Sequence, residues 1–140
     1  MVNGWYGGQL DQPNARFDGS YTPPGWDTST EIRNVYHIAF ARHCRACHVQ
    51  LADTSKHFTS YDDLVLNALG NPRPLEDYLY RRGVMPLARL TMDRFWVPFE
   101  GNAVAAELLA HQLAADGYLS DPTLRPGAPV FEIIRTPNPA

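Results

Sequence analysis

Five consecutive residues, Cys44-Arg45-Ala46-Cys47-His48, limit what this chain can fold around more than any other stretch. Two cysteines three apart with a histidine directly after the second form the attachment signature of a c-type haem. The spacing has a chemical reason. One turn of helix carries residues three apart on the same side, so both thiols can meet the two vinyl groups of one porphyrin. The adjoining His48 then falls beneath the iron as an axial ligand, and the metal is tuned by that ligand, its hydrogen bonds and its burial. Both cysteines of the chain are spent on this motif, which argues against chance. Two other readings use the same residues. Zinc could draw on Cys44 and Cys47 with two of His43, His48 and His57, but such sites favour a second, regularly spaced ligand pair. A thiol redox pair favours a βαβ setting, and no strand pattern flanks the motif.

At 140 residues the chain is the size of one domain. Its 44% hydrophobic content is that of a globular protein. A net charge of −3 gives no sign of a nucleic-acid partner. No run of 18 apolar residues exists to span a membrane. Of the 12 basic residues only Lys56 is a lysine. Met1 is followed by the polar stretch Val2 to Gly8, without the apolar run of an export signal. Thioether attachment takes place outside the cytoplasm. The chain is therefore expected to be the mature or excised part of a longer precursor, working in the bacterial periplasm.

Residues 1–28 read as an arm. Five glycines and three prolines break any period, while Trp5, Tyr6, Phe17, Tyr21 and Trp26 argue for an arm that lies against the domain or a partner, a trimmed linker being the alternative. A first helix is predicted near Thr28, where Thr28 and Glu31 have capping-box spacing. Ile32, Val35, Tyr36, Ala39 and Phe40 share one face, and the helix runs into Cys44. His37 and His43 are expected at exposed or cap-like positions. Ser60 is placed to cap a helix over 61–69, with Gly70 as its stop. Pro74 suits the first position of a helix over 75–82 that ends at Gly83. Phe95 to Phe99 reads as a dense apolar turn, with Trp96 in the core or covering the haem and donating to a propionate. A last helix is predicted over 102–115, with Asn102 as cap and His111 on its exposed side. Beyond Leu119, five prolines in 21 residues mark a tail that includes the apolar run Val130 to Ile134.

A helix with an aromatic four residues before the first cysteine (Phe40), then CxxCH, then Met85-Pro86 at 37 residues beyond His48, is similar to the class I monohaem cytochrome c family. The resemblance covers about residues 29–119. It implies an all-α fold of about four short helices around one covalently bound haem c, between an arm over 1–28 and a Pro-rich tail over 120–140. It implies cofactor contacts from Cys44, Cys47, His48 and Met85, with His48 and Met85 as the metal ligands. Pro86 restricts Met85 to an extended backbone. Rivals for the sixth position are Met92, His57 and His111, or an open site. With both axial positions filled no catalytic residues are needed, and the implied role is electron transfer between a protein donor and acceptor rather than enzymatic turnover. The alternatives are a haem module feeding a larger redox enzyme complex, and a gas-binding or sensory haem with a labile sixth ligand. Arg81, Arg82, Arg89 and Arg94 bracket Met85 as candidate propionate partners, as a positive rim for an acidic partner, or as plain solvated charge.

Two positions depart from the family pattern. Tyr36 stands eight residues before the first cysteine, where the family keeps a small residue for the helix crossing, and the alanines of the last helix are expected to make room. No proline follows the motif before Pro72. The carbonyl that orients His48 is expected instead around Ala52 to Ser55.

Overall fold

The computed structural model describes residues 5, 7, 18–66, 73–84, 89–97 and 104–126. These residues are mostly helical and contain no strand; one isolated parallel bridge joins Gly25 and Ser60. The described part of the protein is all-α. No helix among the described residues is long and apolar enough to cross a membrane.

Ser29, in an extended conformation, opens the first helix by accepting the Ile32 amide on its hydroxyl at 3.1 Å. The cap is thus one residue later than the Thr28–Glu31 spacing predicts. From there α1 (Thr30–Val35) passes into a π turn (Tyr36–Phe40) and then α2 (Ala41–His43). Cys44 interrupts the path at φ −120°, and α3 (Arg45–His48) follows. The Cys44 amide still reaches the Phe40 carbonyl at 2.9 Å, so the segment bends without losing its hydrogen bonding. The predicted face is the buried one: Ile32, Val35, Tyr36, Ala39 and Phe40 all lie in the core.

That face packs on α6 (Ala105–Ala115), which also touches α5 (Arg89–Trp96); α5 in turn meets α2. Tyr36 is fully buried although it occupies the place of a small residue. Room comes from the partner helix, where Ala106 and Ala110 are also fully buried. The buried stripe of α6 runs through Ala105, Ala106, Leu109, Ala110 and Leu113. α6 begins at Ala105 without a side-chain cap, and the proposed cap Asn102 lies outside the described residues. It ends in a Schellman motif: Gly117 adopts φ +81°, its amide meets the Ala114 carbonyl at 3.2 Å, and the Tyr118 amide meets Leu113 at 2.8 Å.

Two tryptophans of the first 28 residues belong to this core. Trp26 is fully buried, stacked on Phe40 with ring centres 4.6 Å apart and flanked by Tyr36 and Tyr61. Trp5 also packs on Phe40, at 6.0 Å. Gly25 brings the chain so close to the start of α4 (Tyr61–Leu66) that a Cβ there would sit 2.6 Å from the Thr59 carbonyl oxygen. Only glycine fits at that contact. Ser60 caps α4 as predicted, its hydroxyl accepting the Asp63 amide at 3.0 Å; the rest of the predicted helix, with Gly70, lies outside the described residues.

Helical structure resumes at Pro74 and widens into a second π turn, Glu76–Arg81, before Gly83 at φ +60°. Its anchor is Glu76, buried among partners. The carboxylate accepts Arg81 Nη2 at 2.7 Å, and the Ser120 amide and hydroxyl at 2.8 and 3.0 Å. Burial pushes this carboxyl up, but the hydrogen bonds from Arg81 and Ser120 outweigh it and hold the pKa below its ordinary value. The first seven described residues of the Pro-rich tail therefore close back on the domain, with Leu124 against the core. Residues 127–140, including the apolar run Val130 to Ile134, lie outside the described residues.

Candidate haem-attachment site

α3 presents the motif in a single turn, with Cys44 at its head, partly buried against the core, and Cys47 exposed. Burial pushes the Cys44 thiol up to about 12, with the neighbouring Cys47 adding to the rise. A nucleophilic redox thiol at Cys44 would need the opposite shift. A zinc site fares no better: among the described residues no three His, Cys, Asp or Glu side chains come together to hold a metal ion. His57, one of its candidate ligands, is buried and donates from Nε2 to the Leu51 carbonyl at 2.8 Å.

His48 is held in the manner of a metal ligand. Its Nδ1 donates to the Lys56 carbonyl at 2.8 Å. That bond selects the tautomer that leaves the Nε2 lone pair for a metal. Burial is the main reason the His48 pKa falls, which favours the neutral imidazole that ligation requires; the bond to Lys56 opposes the fall, and His57 and Lys56 add to it. The carbonyl is one residue beyond the predicted span Ala52 to Ser55. Its place follows from a 3-10 turn, Thr54–Lys56, capped by Asp53, whose carboxylate accepts the Ser55 amide and hydroxyl at 3.0 and 2.6 Å. The Asp53-Thr54-Ser55 run is a turn signal from which the carbonyl could have been placed.

Aromatic rings complete the surroundings. Phe58, at φ +53°, lays its ring 4.7 Å from the His48 ring and sits edge-on to Phe40. On another side, His43, Phe95, Trp96 and Tyr80 form a chain of edge-to-face contacts between 5.0 and 5.6 Å. His43 is thus half-buried rather than exposed, and burial lowers its pKa. Phe95 and Trp96, expected in an apolar turn over Phe95 to Phe99, instead close α5. The Trp96 indole nitrogen is buried with no hydrogen-bond partner, as is His43 Nδ1. Buried donors of this kind are rarely left unmatched in a finished protein. An acidic group such as a propionate is a chemically suitable acceptor for the Trp96 donor. The residues present therefore fit a covalently held porphyrin: two thiols on one turn, an oriented neutral imidazole, an aromatic wall and an unmatched donor.

The other sequence candidates divide. Met85 lies outside the described residues, as do Pro86 and the side chains of Arg89 and Met92. His111 is exposed on α6, and His37 shares a 2.7 Å hydrogen bond with the Thr22 hydroxyl. Arg81 and Arg82, more than half exposed, pair with Glu76 and Asp77 at 2.7 and 3.6 Å. Arg45, inside the motif, was not singled out in the sequence. Its guanidinium donates to the Tyr36 hydroxyl at 2.8 Å and the Trp5 carbonyl at 3.2 Å, binding the motif to the N-terminal stretch. Compared with protein-family models, curated proteins and solved structures, the chain matches none.

Proposed function

We propose that this protein is a monohaem c-type electron carrier with the fold of a class I cytochrome c. Cys44 and Cys47 hold haem c through thioethers, His48 is the proximal ligand and Met85 the sixth. The reading rests chiefly on the His48–Lys56 hydrogen bond at 2.8 Å, the outer contact that fixes a ligating histidine. It is supported by the motif's single-turn geometry and by the crossing of the first and last helical segments. The haem, when bound, supplies a one-electron couple. The chain's own residues then have defined tasks. His48 presents a fixed neutral nitrogen, Phe40 and Phe58 exclude water from one side, and Trp96 offers a donor to an acidic haem edge. Arg81 and Arg82 are already paired, which leaves less of their charge to steer a partner. The same pairings weaken the case for a specialised positive docking rim. The protein's partners are a redox donor and acceptor in the periplasm.

The test is an optical spectrum of protein matured in a host with a c-haem assembly system, for wild type and Met85→Ala. The expected result is covalent haem, a methionine–iron charge-transfer band that disappears in the variant, and reduced wild type inert to CO. Avid CO uptake by wild type would move the function to gas binding. Absence of covalent haem would end the proposal.

A further inference from the structure

Residues 49–58 form a loop whose only buried side chain is His57. The loop carries the carbonyl that His48 needs, so something must hold Lys56 in place. Besides the Asp53 cap, three hydrogen bonds help to do so. The His57 ring donates from Nε2 to the Leu51 carbonyl at 2.8 Å, which closes the loop across its own base. The Lys56 amide meets Asp53, and the His57 amide meets Thr54, both at 3.1 Å. Of these, the ring contact alone is made by a side chain seated in the interior. Trp26 Nε1, donating to the Phe58 carbonyl at 3.0 Å, fastens the far end.

We infer that His57 is the positioning residue of the proximal ligand: by pinning the loop at Leu51 it holds the Lys56 carbonyl on His48 Nδ1 and thereby sets the electron donation of His48 to iron. The inference rests on the function proposed above. A hydrogen bond at the second nitrogen raises a ligating imidazole's basicity, and a more basic ligand favours the oxidised metal. Loosening the loop should therefore favour the reduced form.

The experiment is an optical redox titration of the matured protein alongside thermal unfolding, for wild type, His57→Leu, His57→Gln and Tyr61→Phe. His57→Leu fills the same space with an apolar side chain and removes the donor. It is expected to shift the oxidised-to-reduced equilibrium about tenfold toward the reduced form, ~59 mV for a one-electron couple. His57→Gln supplies an amide donor and should restore most of the shift. Tyr61→Phe removes the 2.8 Å bond from Tyr61 to Asp116, away from the loop, and should lower the melting temperature while leaving the potential in place. Should His57→Leu fail to fold, His57→Asn, too short to span to Leu51, takes its place. Haem-bearing His57→Leu at the wild-type potential overturns the inference alone. So does a potential that moves with lost stability in Tyr61→Phe as much as in the His57 variants. Wild type without covalent haem overturns the proposed function and this inference with it.

Discussion

The crossing of α1 and α6 and the loop over 49–58 are held by opposite means. At the crossing, Val35, Tyr36, Ala106, Ala110 and Leu113 are sealed from solvent and pack as apolar surface. In the loop almost every side chain is accessible, and shape is kept by hydrogen bonds to carbonyls of Leu51, Lys56 and Phe58. Apolar burial supplies stability roughly in proportion to area but has little directional demand. Hydrogen bonds contribute less net free energy but fix geometry. The crossing therefore keeps the protein folded, and the loop keeps His48 aimed. Substitutions should separate the two.

The largest effect is expected from Trp26→Ala, because Trp26 serves both regions. It is stacked on Phe40 and also donates to Phe58. Loss of a buried aromatic costs about 3–5 kcal/mol, which denaturant unfolding should show; on the function proposed above, the potential of the haem-loaded protein should change with it. A wild-type potential in that variant would break the link between core and loop. Next comes Tyr80→Phe, confined to the scaffold. Its hydroxyl donates to the Ala106 carbonyl at 2.6 Å inside the core, and burial raises its pKa. Deleting the hydroxyl leaves that carbonyl short of a partner and should cost about 1–2 kcal/mol with no change in potential.

Glu76→Gln should come third, at about 1 kcal/mol near neutral pH, since Arg81 is more than half exposed. The sign with pH is set by the lowered pKa. A carboxylate whose folded pKa lies below its unfolded one stabilises fully above the unfolded value. That contribution is lost as pH falls through the folded one. Melting curves of wild type should thus fall toward acid in that window, and those of Glu76→Gln should be flatter there. Equal slopes would remove Glu76 as the source. The smallest effect on stability is expected from Asp53→Ala, which unmakes the cap of an exposed turn. It should scarcely move the melting temperature while shifting the potential in the direction expected for His57→Leu.

Legibility in the sequence follows the same division. The apolar face of the first helical segment was readable because period-3.6 burial leaves a mark at each turn. The single turn over Cys44 to His48 was legible because those residues are contiguous. The loop was only half readable: the need for a carbonyl near His48 could be foreseen, but Lys56 rather than Ala52 to Ser55 supplies it, since the choice depends on how the Asp53 turn closes. Trp5 and Trp26 sit among glycines and prolines, where no period announces burial. α5 was hidden because Phe95-Trp96-Val97 looks like a turn when read beside Pro98. Glu76 pairs with Ser120, 44 residues away, a contact no local pattern encodes.

The two π turns hold a consequence for how the chain tolerates length change. Each closes on a bond five residues back, from Ala41 to Tyr36 and from Arg82 to Asp77. A π turn accommodates about one residue more than an α turn, and one residue of α-helix spans about 100° of rotation. Upstream of the thiols, Tyr36–Phe40 absorbs one residue within a single turn without rotating the segment that follows. Removing Ile38 alone should let the turn close as ordinary α with Cys44 kept near its angular setting, whereas removing one residue from α1 should swing the motif about a quarter turn around the axis. A one-residue deletion is thus expected to be tolerated in the π turn and to misdirect both thiols when made in α1.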